Sequence, residues 1–284
     1  MKIFIVGILF FSSGFYAASC CVGGGAKSFI QLRNFEKYQL GFSLFHKENY
    51  AKFNPYGDLK ETKPNQTTTS SLGAGMRLRD DLDVNFLVPI SRVESSTGLG
   101  DSMVGARYTL VDPLFLSDWY PKVNLSVQLK MPTGNQDGGN GNGLWEPGLS
   151  LIFEKDFNLV LLNFGTSYTY RSVKTGKEHF TGQNISVKEG DKFELSETVI
   201  LPVTDTLSFA LGSSQTWELA SQINGEGVKD SHGRSIQGVI SGTYYLSRIW
   251  KMTIGFDTTL PVEGWGTTLA ATRTFTLTST YSIY

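Results

Sequence analysis

Cys20 and Cys21, the only thiols in the chain, are adjacent and stand directly before Gly23, Gly24 and Gly25. Three chemistries are open to them. A cysteine at a processing site can be acylated, although Ala17-Ala18-Ser19 lacks the large aliphatic residue usual three positions before a lipidated cysteine. A thiolate pair on a flexible stem can hold a soft metal ion, yet two sulfurs without a nearby His form an incomplete ligand set. A disulfide between neighbours is strained, and without a third cysteine no bridge can staple the fold. Hydrolysis would need a nucleophile, a base and an orienting group together. His46, His179 and His232 fall in or beside polar connections, with no Ser and Asp in a triad-like motif. The expectation is a protein that is not an enzyme. The run TGNQDGGNGNG from Thr133 has the glycines and oxygens of a phosphate cradle or calcium loop, but no Lys-Ser/Thr follows and no acidic residues alternate. It reads as a flexible surface loop.

A second set of residues recurs within an apolar–polar alternation: Arg77, Arg107, Lys122, Lys130 and Arg171, with Asp83, Glu154, Glu194, Glu218 and Asp257. If the strands that carry them close into a barrel, they share one narrow interior, where each must meet an opposite charge or water. Two roles follow. Ion pairs would fill and stiffen the interior, whereas unneutralised charge would form a constriction that selects solutes.

The elements that position these residues are strands. In KVNLSVQLK, Val123, Leu125, Val127 and Leu129 share one face, and Lys122, Asn124, Ser126, Gln128 and Lys130 share the other. A one-residue slip would put lysines among apolar neighbours, so the faces are fixed. The same period places Leu82, Val84, Phe86, Val88 and Ile90 against Asp83, Asn85 and Ser91, and Met252, Ile254 and Phe256 against Lys251, Thr253, Gly255 and Asp257. The alternation predicts about twelve strands, at 37-46, 67-78, 82-92, 101-111, 122-131, 147-155, 159-172, 192-202, 206-218, 235-246, 250-261 and 271-284. Short turns at Arg79-Asp80-Asp81, Asp156-Phe157, Val203-Thr204-Asp205 and Ser247-Arg248-Ile249 alternate with longer polar loops near 47-66, 93-100, 132-146, 173-191, 219-234 and 262-270. The connection at 112-121 is longer than its class predicts.

That short–long rhythm is the pattern of an all-β, closed antiparallel transmembrane barrel with periplasmic turns and extracellular loops. An even strand number puts both ends of the barrel on the periplasmic side. Closure is required because hydrocarbon offers no partner to an unpaired strand edge. A soluble β-sandwich alternates equally well, but its polar face meets water and carries many charges; here that face is rich in Gly, Ser and Thr. Tyr108, Tyr168, Tyr170, Trp217, Tyr244, Trp250 and Tyr281 gather near strand ends, as interfacial girdles do.

A net charge of -1 gives no field that would favour nucleic acid. Beyond the N-terminus no apolar run is long enough for a membrane helix. Lys2, the apolar run Ile3 to Phe11 and the small residues Ala17, Ala18 and Ser19 read as a signal peptide over 1-19. Residues 20-36 then form a Cys/Gly stem and 37-284 the barrel. Within that stem Ser28 to Phe35, SFIQLRNF, is short and apolar enough to enter the periplasmic mouth as a small plug.

Gly98-Leu99-Gly100-Asp101, followed by VGARYTL, VQLKMPTGN, Asp137-Gly138-Gly139 and Trp145-Glu146-Pro147, resembles the outer-membrane transporter-like family named for the meta-cleavage pathway of phenol degradation, over roughly residues 80 to 155. The resemblance implies an outer-membrane barrel in a Gram-negative cell, related to channels for fatty acids and aromatic hydrocarbons, and passive passage of small, hydrophobic or aromatic solutes. A structural or anchoring barrel without transport is the alternative, and an outer-membrane hydrolase a distant one. The partners implied are outer-membrane lipid, the barrel-assembly machinery and a small solute, and no cofactor is implied. One departure is the terminal Tyr284, which lies out of phase with Phe275, Leu277, Tyr281 and Ile283. Finally, the basic residues cluster on the strands between 67 and 131 with Arg171, while Ser241, Thr243, Gly255, Thr274, Thr276, Thr278 and Thr280 are small. The expected interior is therefore uneven, with free space against the C-terminal strands.

Overall fold

The computed structural model describes residues 32, 36–53, 59–93, 96–113, 119–134, 140–157, 159–177, 184–229, 231–260 and 269–284. Its strands are β1 (Tyr38–Phe53), β2 (Leu59–Arg79), β3 (Leu82–Val93), β4 (Ser96–Leu99), β5 (Met103–Val111), β6 (Lys122–Lys130), β7 (Glu146–Asp156), β8 (Leu161–Thr169), β9 (Val173–Lys177), β10 (Asn184–Lys188), β11 (Lys192–Thr204), β12 (Leu207–Glu218), β13 (Gln222–Ile223), β14 (Glu226–Gly227), β15 (Gly233–Tyr245), β16 (Trp250–Leu260) and β17 (Leu269–Ile283). Among the described residues no helix is long and apolar enough to cross a membrane, which says nothing of strands.

One sheet holds β1, β2, β3 to β8, β11, β12, β15, β16 and β17, all antiparallel. It closes on itself because β1 pairs with β17 (Gly41↔Thr280) as well as β2 (Gly41↔Gly73), and β2 pairs with β3. β4 is a short partner of the outer half of β3, so the wall is a 12-strand barrel, as the alternation predicts. Closure leaves no free edge in the wall.

The barrel is polar inside and apolar outside. Gln39, Ser43, Ser71, Asp83, Arg107, Asn124, Thr198, Ser214, Thr243 and Thr280 are buried on the inward phase, with Leu87, Ile200 and Val239 as apolar exceptions. Leu40, Phe42, Leu72, Phe86, Val127, Phe164, Leu211, Ile254 and Phe275 are exposed on the outward phase. A soluble sandwich would show the reverse, so the outward face is built for hydrocarbon. Its rim at the short-turn end carries Tyr38, Tyr108, Tyr244, Trp250 and Tyr281, and its rim at the long-loop end carries Tyr168, Tyr170 and Phe193, all exposed. Trp217 packs on Phe193 at a ring separation of 5.6 Å. The girdle residues lie on the lipid side, and two of them turn their polar tips to groups at the rim. The Tyr168 hydroxyl donates to Asp191, and Trp250 Nε1 donates to Ser279 Oγ at 2.8 Å.

Where prediction and structure differ, backbone hydrogen bonding accounts for it. β1 and β2 run past residues 46 and 67 as one long hairpin, with pairing out to Phe53↔Leu59. His46 therefore stands on a strand rather than beside a loop, with Nδ1 3.0 Å from Thr68 Oγ1. His232 lies just before β15, and His179 lies outside the described residues. The loops expected at 173-191 and 219-234 contain β9, β10, β13 and β14, a second four-stranded sheet at the long-loop end. Pro202, inside β11, sits at the bulge where the ladder to β12 slips between Pro202 and Thr204, a place where its missing N–H is tolerated. Tyr284 leaves the ladder, and its hydroxyl donates to the Arg248 carbonyl at 2.8 Å, tying the chain end to the β15–β16 turn.

Candidate functional site

The site is the inner wall, and most of its charged side chains fall into two clusters on one half of the barrel. The first lies at the short-turn end. Register places Arg77 opposite Asp83, and Asp83 opposite Arg107, across β2, β3 and β5. Asp83 Oδ1 accepts from Arg77 Nε at 3.0 Å, and Oδ2 from Arg107 Nε at 3.1 Å and also from Arg107 Nη2. All three side chains are largely shielded from solvent. One carboxylate between two guanidinium groups leaves a net positive unit, whose remaining donors need acceptors. Arg107 finds one in the carbonyl oxygen of Leu32, 2.6 Å from Nη2. Leu32 is itself buried, and Glu36 is buried against Gln39, whose Nε2 lies 3.4 Å from its Oε2. These are the described residues around the segment expected to plug this mouth, and Leu32 is inside it; residues 28–31 and 33–35 lie outside the described residues. On the adjoining strands Lys122 stands directly opposite Glu154.

The second cluster rings part of the long-loop end. Lys130 Nζ lies 2.7 Å from Glu146 and 3.9 Å from Asp101. Arg171 reaches Glu146 at 3.6 Å, Glu189 at 3.1 Å and Glu218 at 3.6 Å, and Lys192 reaches Glu218 at 3.0 Å. The ion pairs thus run without a break from Asp101, between β4 and β5, to Glu218 at the end of β12. Next to them Asp191 accepts from the Arg171 backbone N–H at 3.0 Å, the Tyr168 hydroxyl at 2.8 Å and Lys188 Nζ at 3.3 Å. Burial works to raise its pKa, but those three donors together outweigh burial and hold the carboxyl below the usual carboxylate range.

Of the ten charged residues picked from alternation, Arg77, Asp83 and Arg107 come together at one end, and Lys130, Arg171 and Glu218 at the other. Lys122 and Glu154 face each other, and Glu194 lies in register with Ser167 and Thr216 on the same half. Asp257 stands apart on β16, in one row with Thr274 and Lys47. Sequence reasoning missed Glu146, Glu189, Asp191 and Lys192. Glu146 had a signal: it shares the even phase of Gly148 and Ser150 on β7. Glu189 and Asp191 precede β11 outside any alternation.

The remaining wall, β12, β15, β16, β17 and β1, is mostly hydroxyl. Thr243 and Thr253 Oγ1 lie 2.9 Å apart, as do Thr259 and Thr272, while Ser208, Ser214, Ser241, Thr278, Thr280 and Ser282 are buried on the same inner face. Lys47, Lys251 and Asp257 are its charged members. The unevenness read from the sequence is thus present in the side chains around the wall. Among the described residues no group of three or more His, Cys, Asp or Glu could hold a metal ion, and Cys20 and Cys21 lie outside those residues.

The loop expected to be free at 132-146 is pinned at its described ends. Asp101 Oδ1 accepts from Gly134 N–H at 3.0 Å and Oδ2 from Asn142 N–H at 2.9 Å. Thr133 Oγ1 accepts from Ser102 N–H at 2.8 Å and donates to the Gly100 carbonyl at 3.0 Å. Gly is required at two of these positions: a Cβ at Gly141 would lie 2.5 Å, and one at Gly134 2.9 Å, from Asp101 Oδ1. Gly100, Asp101 and Ser102 of the motif that carried the family resemblance are thus hydrogen-bonded to Thr133, Gly134 and Asn142.

A closed antiparallel barrel with a polar interior, an apolar belt and two aromatic rims defines the class: a transmembrane β-barrel of the outer-membrane type. The chain belongs to the family described as the MetA-pathway of phenol degradation, whose model matches residues 25–277. Its fold is similar to the COG4313 outer membrane channel from Pseudomonas putida F1, with 15% identity, coverage of 89% of this chain and 100% of that one, and a TM-score of 0.71. It is also similar to the translocator domain of the autotransporter NalP from Neisseria meningitidis (8% identity, 88% and 90% coverage, TM-score 0.55). A KdgM porin in complex with disordered oligogalacturonate matches at 9% identity, 86% and 99% coverage and a TM-score of 0.51. At these identities the likeness is one of fold. No protein of curated function matches the sequence significantly.

Proposed function

We propose that the protein is a passive outer-membrane channel for small solutes, exported by its N-terminal signal peptide and inserted by the barrel-assembly machinery, with its short turns in the periplasm. The observation that carries this reading is the two-sided interior: ion pairs line one half of the wall, and small hydroxyl side chains line the other. The hydroxyl half offers both hydrogen-bond donors and acceptors beside small side chains, which suits a flat solute carrying a hydroxyl or a carboxyl. That chemistry, together with the family, points to small aromatic compounds as the solute class.

Conductance of the refolded mature protein in planar bilayers tests the reading. Steady ion-selective steps that change on Arg107→Ala or Glu194→Ala are expected. A second reading is favoured by one observation, the Leu32 carbonyl held on Arg107 inside the short-turn mouth. On that reading the barrel is an anchored scaffold with a closed interior. A correctly folded, heat-modifiable barrel that stays silent, with and without the substitutions, would decide for it.

A further inference from the structure

Pro89 stands on the inward phase of β3 with Asp83, Leu87 and Ser91, and it is where β3 changes partner. Below it β3 pairs with β5 as far as Leu87↔Met103; above it, with β4 from Ile90↔Leu99. In an antiparallel strand the N–H and C=O of a residue point to the same neighbour. The Pro89 carbonyl accepts from Gly100 N–H at 2.8 Å, so the bond that proline cannot donate is missing on that same side. The ladder is interrupted where that donor is missing: past Gly100, Asp101 and Ser102 stand out of it, and it resumes at Met103.

The released carboxylate of Asp101 meets the β6–β7 connection, taking one N–H from each of its described arms, Gly134 and Asn142. Three contacts place these arms on the inner side of the wall. A Cβ at Gly100 would lie 3.0 Å from the inward Pro89 side chain and 3.2 Å from the Asn140 carbonyl oxygen. Asn140, buried, has its amide 3.2 Å from Ser96 Oγ, and in the amide orientation that satisfies both of its polar atoms it donates to the Ser91 carbonyl at 2.8 Å. Asn142 Nδ2 donates to the inward Glu146 at 2.7 Å, and Leu144 beside it is buried.

We infer that Asp101 is a specificity-determining positioning residue, which holds the two described arms of the β6–β7 connection, 131–134 and 140–145, together on the inner side of the wall so that Asn140 and Leu144 narrow the outer mouth and set the size of solute admitted. The inference rests on the channel reading above. Asp101→Ala removes both acceptors, and Gly141→Ala pushes a methyl group into the same carboxylate; the two reach one state by different routes. For each, with heat-modifiability confirming a folded barrel, two quantities are measured against the wild type: the rate of proteolytic nicking within the connection, and permeation of neutral sugars of graded size into liposomes.

The expected result is nicking faster by about tenfold or more, the effect of losing one charged hydrogen bond, with larger sugars admitted and the smallest passing as in the wild type. Unchanged nicking overturns the inference. So does faster nicking with an unchanged size limit in a barrel that conducts. If neither the wild type nor any variant passes a sugar or an ion, the channel reading falls and the specificity role falls with it, a result distinguishable from the other two because the wild type itself is closed.

Discussion

The two halves of the inner wall follow the same alternation and carry the same kind of outward belt, yet they solve burial differently. On the β2–β11 half, Asp83 is held between Arg77 and Arg107, and Glu146 between Lys130 and Arg171, so each charge depends on partners from other strands. On the β12–β1 half Thr243 pairs with Thr253 and Thr259 with Thr272, each across a single ladder, while the buried hydroxyls of Ser43 and Ser241 have no partner among the described residues. A hydroxyl can both donate and accept and tolerates the loss of its neighbour, whereas a buried charge does not. Alternation decides which way a residue points. Register decides which partner it meets, and only on the charged half does that partner determine stability.

Removing the shared carboxylate is the severest test of this contrast. Asp83→Ala leaves two buried guanidinium groups side by side without their anion and should cost on the order of 3 kcal/mol, read as a lower urea midpoint for the folded barrel in lipid vesicles. Arg107→Ala should cost less, because Arg77 still pairs with Asp83. Equal losses for the two, or a loss for Asp83→Ala within the error of a surface substitution, would show that the cluster is solvated and the contrast illusory.

Asp191 carries the same logic to a position outside the membrane-spanning strands, where pH can reach it. Its pKa in the fold is depressed, so the stability it gives is complete above its unfolded value of about 3.9. That stability is lost as pH falls through the lower folded value. Amide protection over Lys188 and Arg171, taken relative to the intrinsic exchange rate at each pH, should therefore be as large at pH 5 as at pH 7, and should fall only below about pH 4. In Asp191→Asn that acid step should disappear. A transition centred near neutral pH would mean that another group controls this end.

Much of this architecture is legible in the sequence, and the illegible parts have physical causes. The inward phase of Lys122 through Lys130, and of Lys251 through Asp257, follows from period two alone. That Asp83 serves two arginines does not, because it depends on the register of β2 and β5 against β3, and a bulge between Arg77 and Arg79 resets the first of these. The β9–β10–β13–β14 sheet was hidden because its strands are short and polar, with no buried face to impose a period. Asp101 was visible in a motif, but its role depends on the donor that Pro89 lacks on a neighbouring strand, an absence that alternation does not register.

The smallest effect is the one expected on the hydroxyl half. Thr259→Val keeps the shape of the side chain and removes one partner of Thr272, whose backbone N–H also donates to Thr259 Oγ1 at 3.1 Å. The loss should be about 1 kcal/mol. Thr259→Val with Thr272→Val should cost little more, since the second substitution removes a hydroxyl that the first has already left unpaired. Near-additive losses in this cycle would mean that each hydroxyl has a separate partner, and that the half of the wall assigned to solute is bound into the fold no less firmly than the charged half opposite.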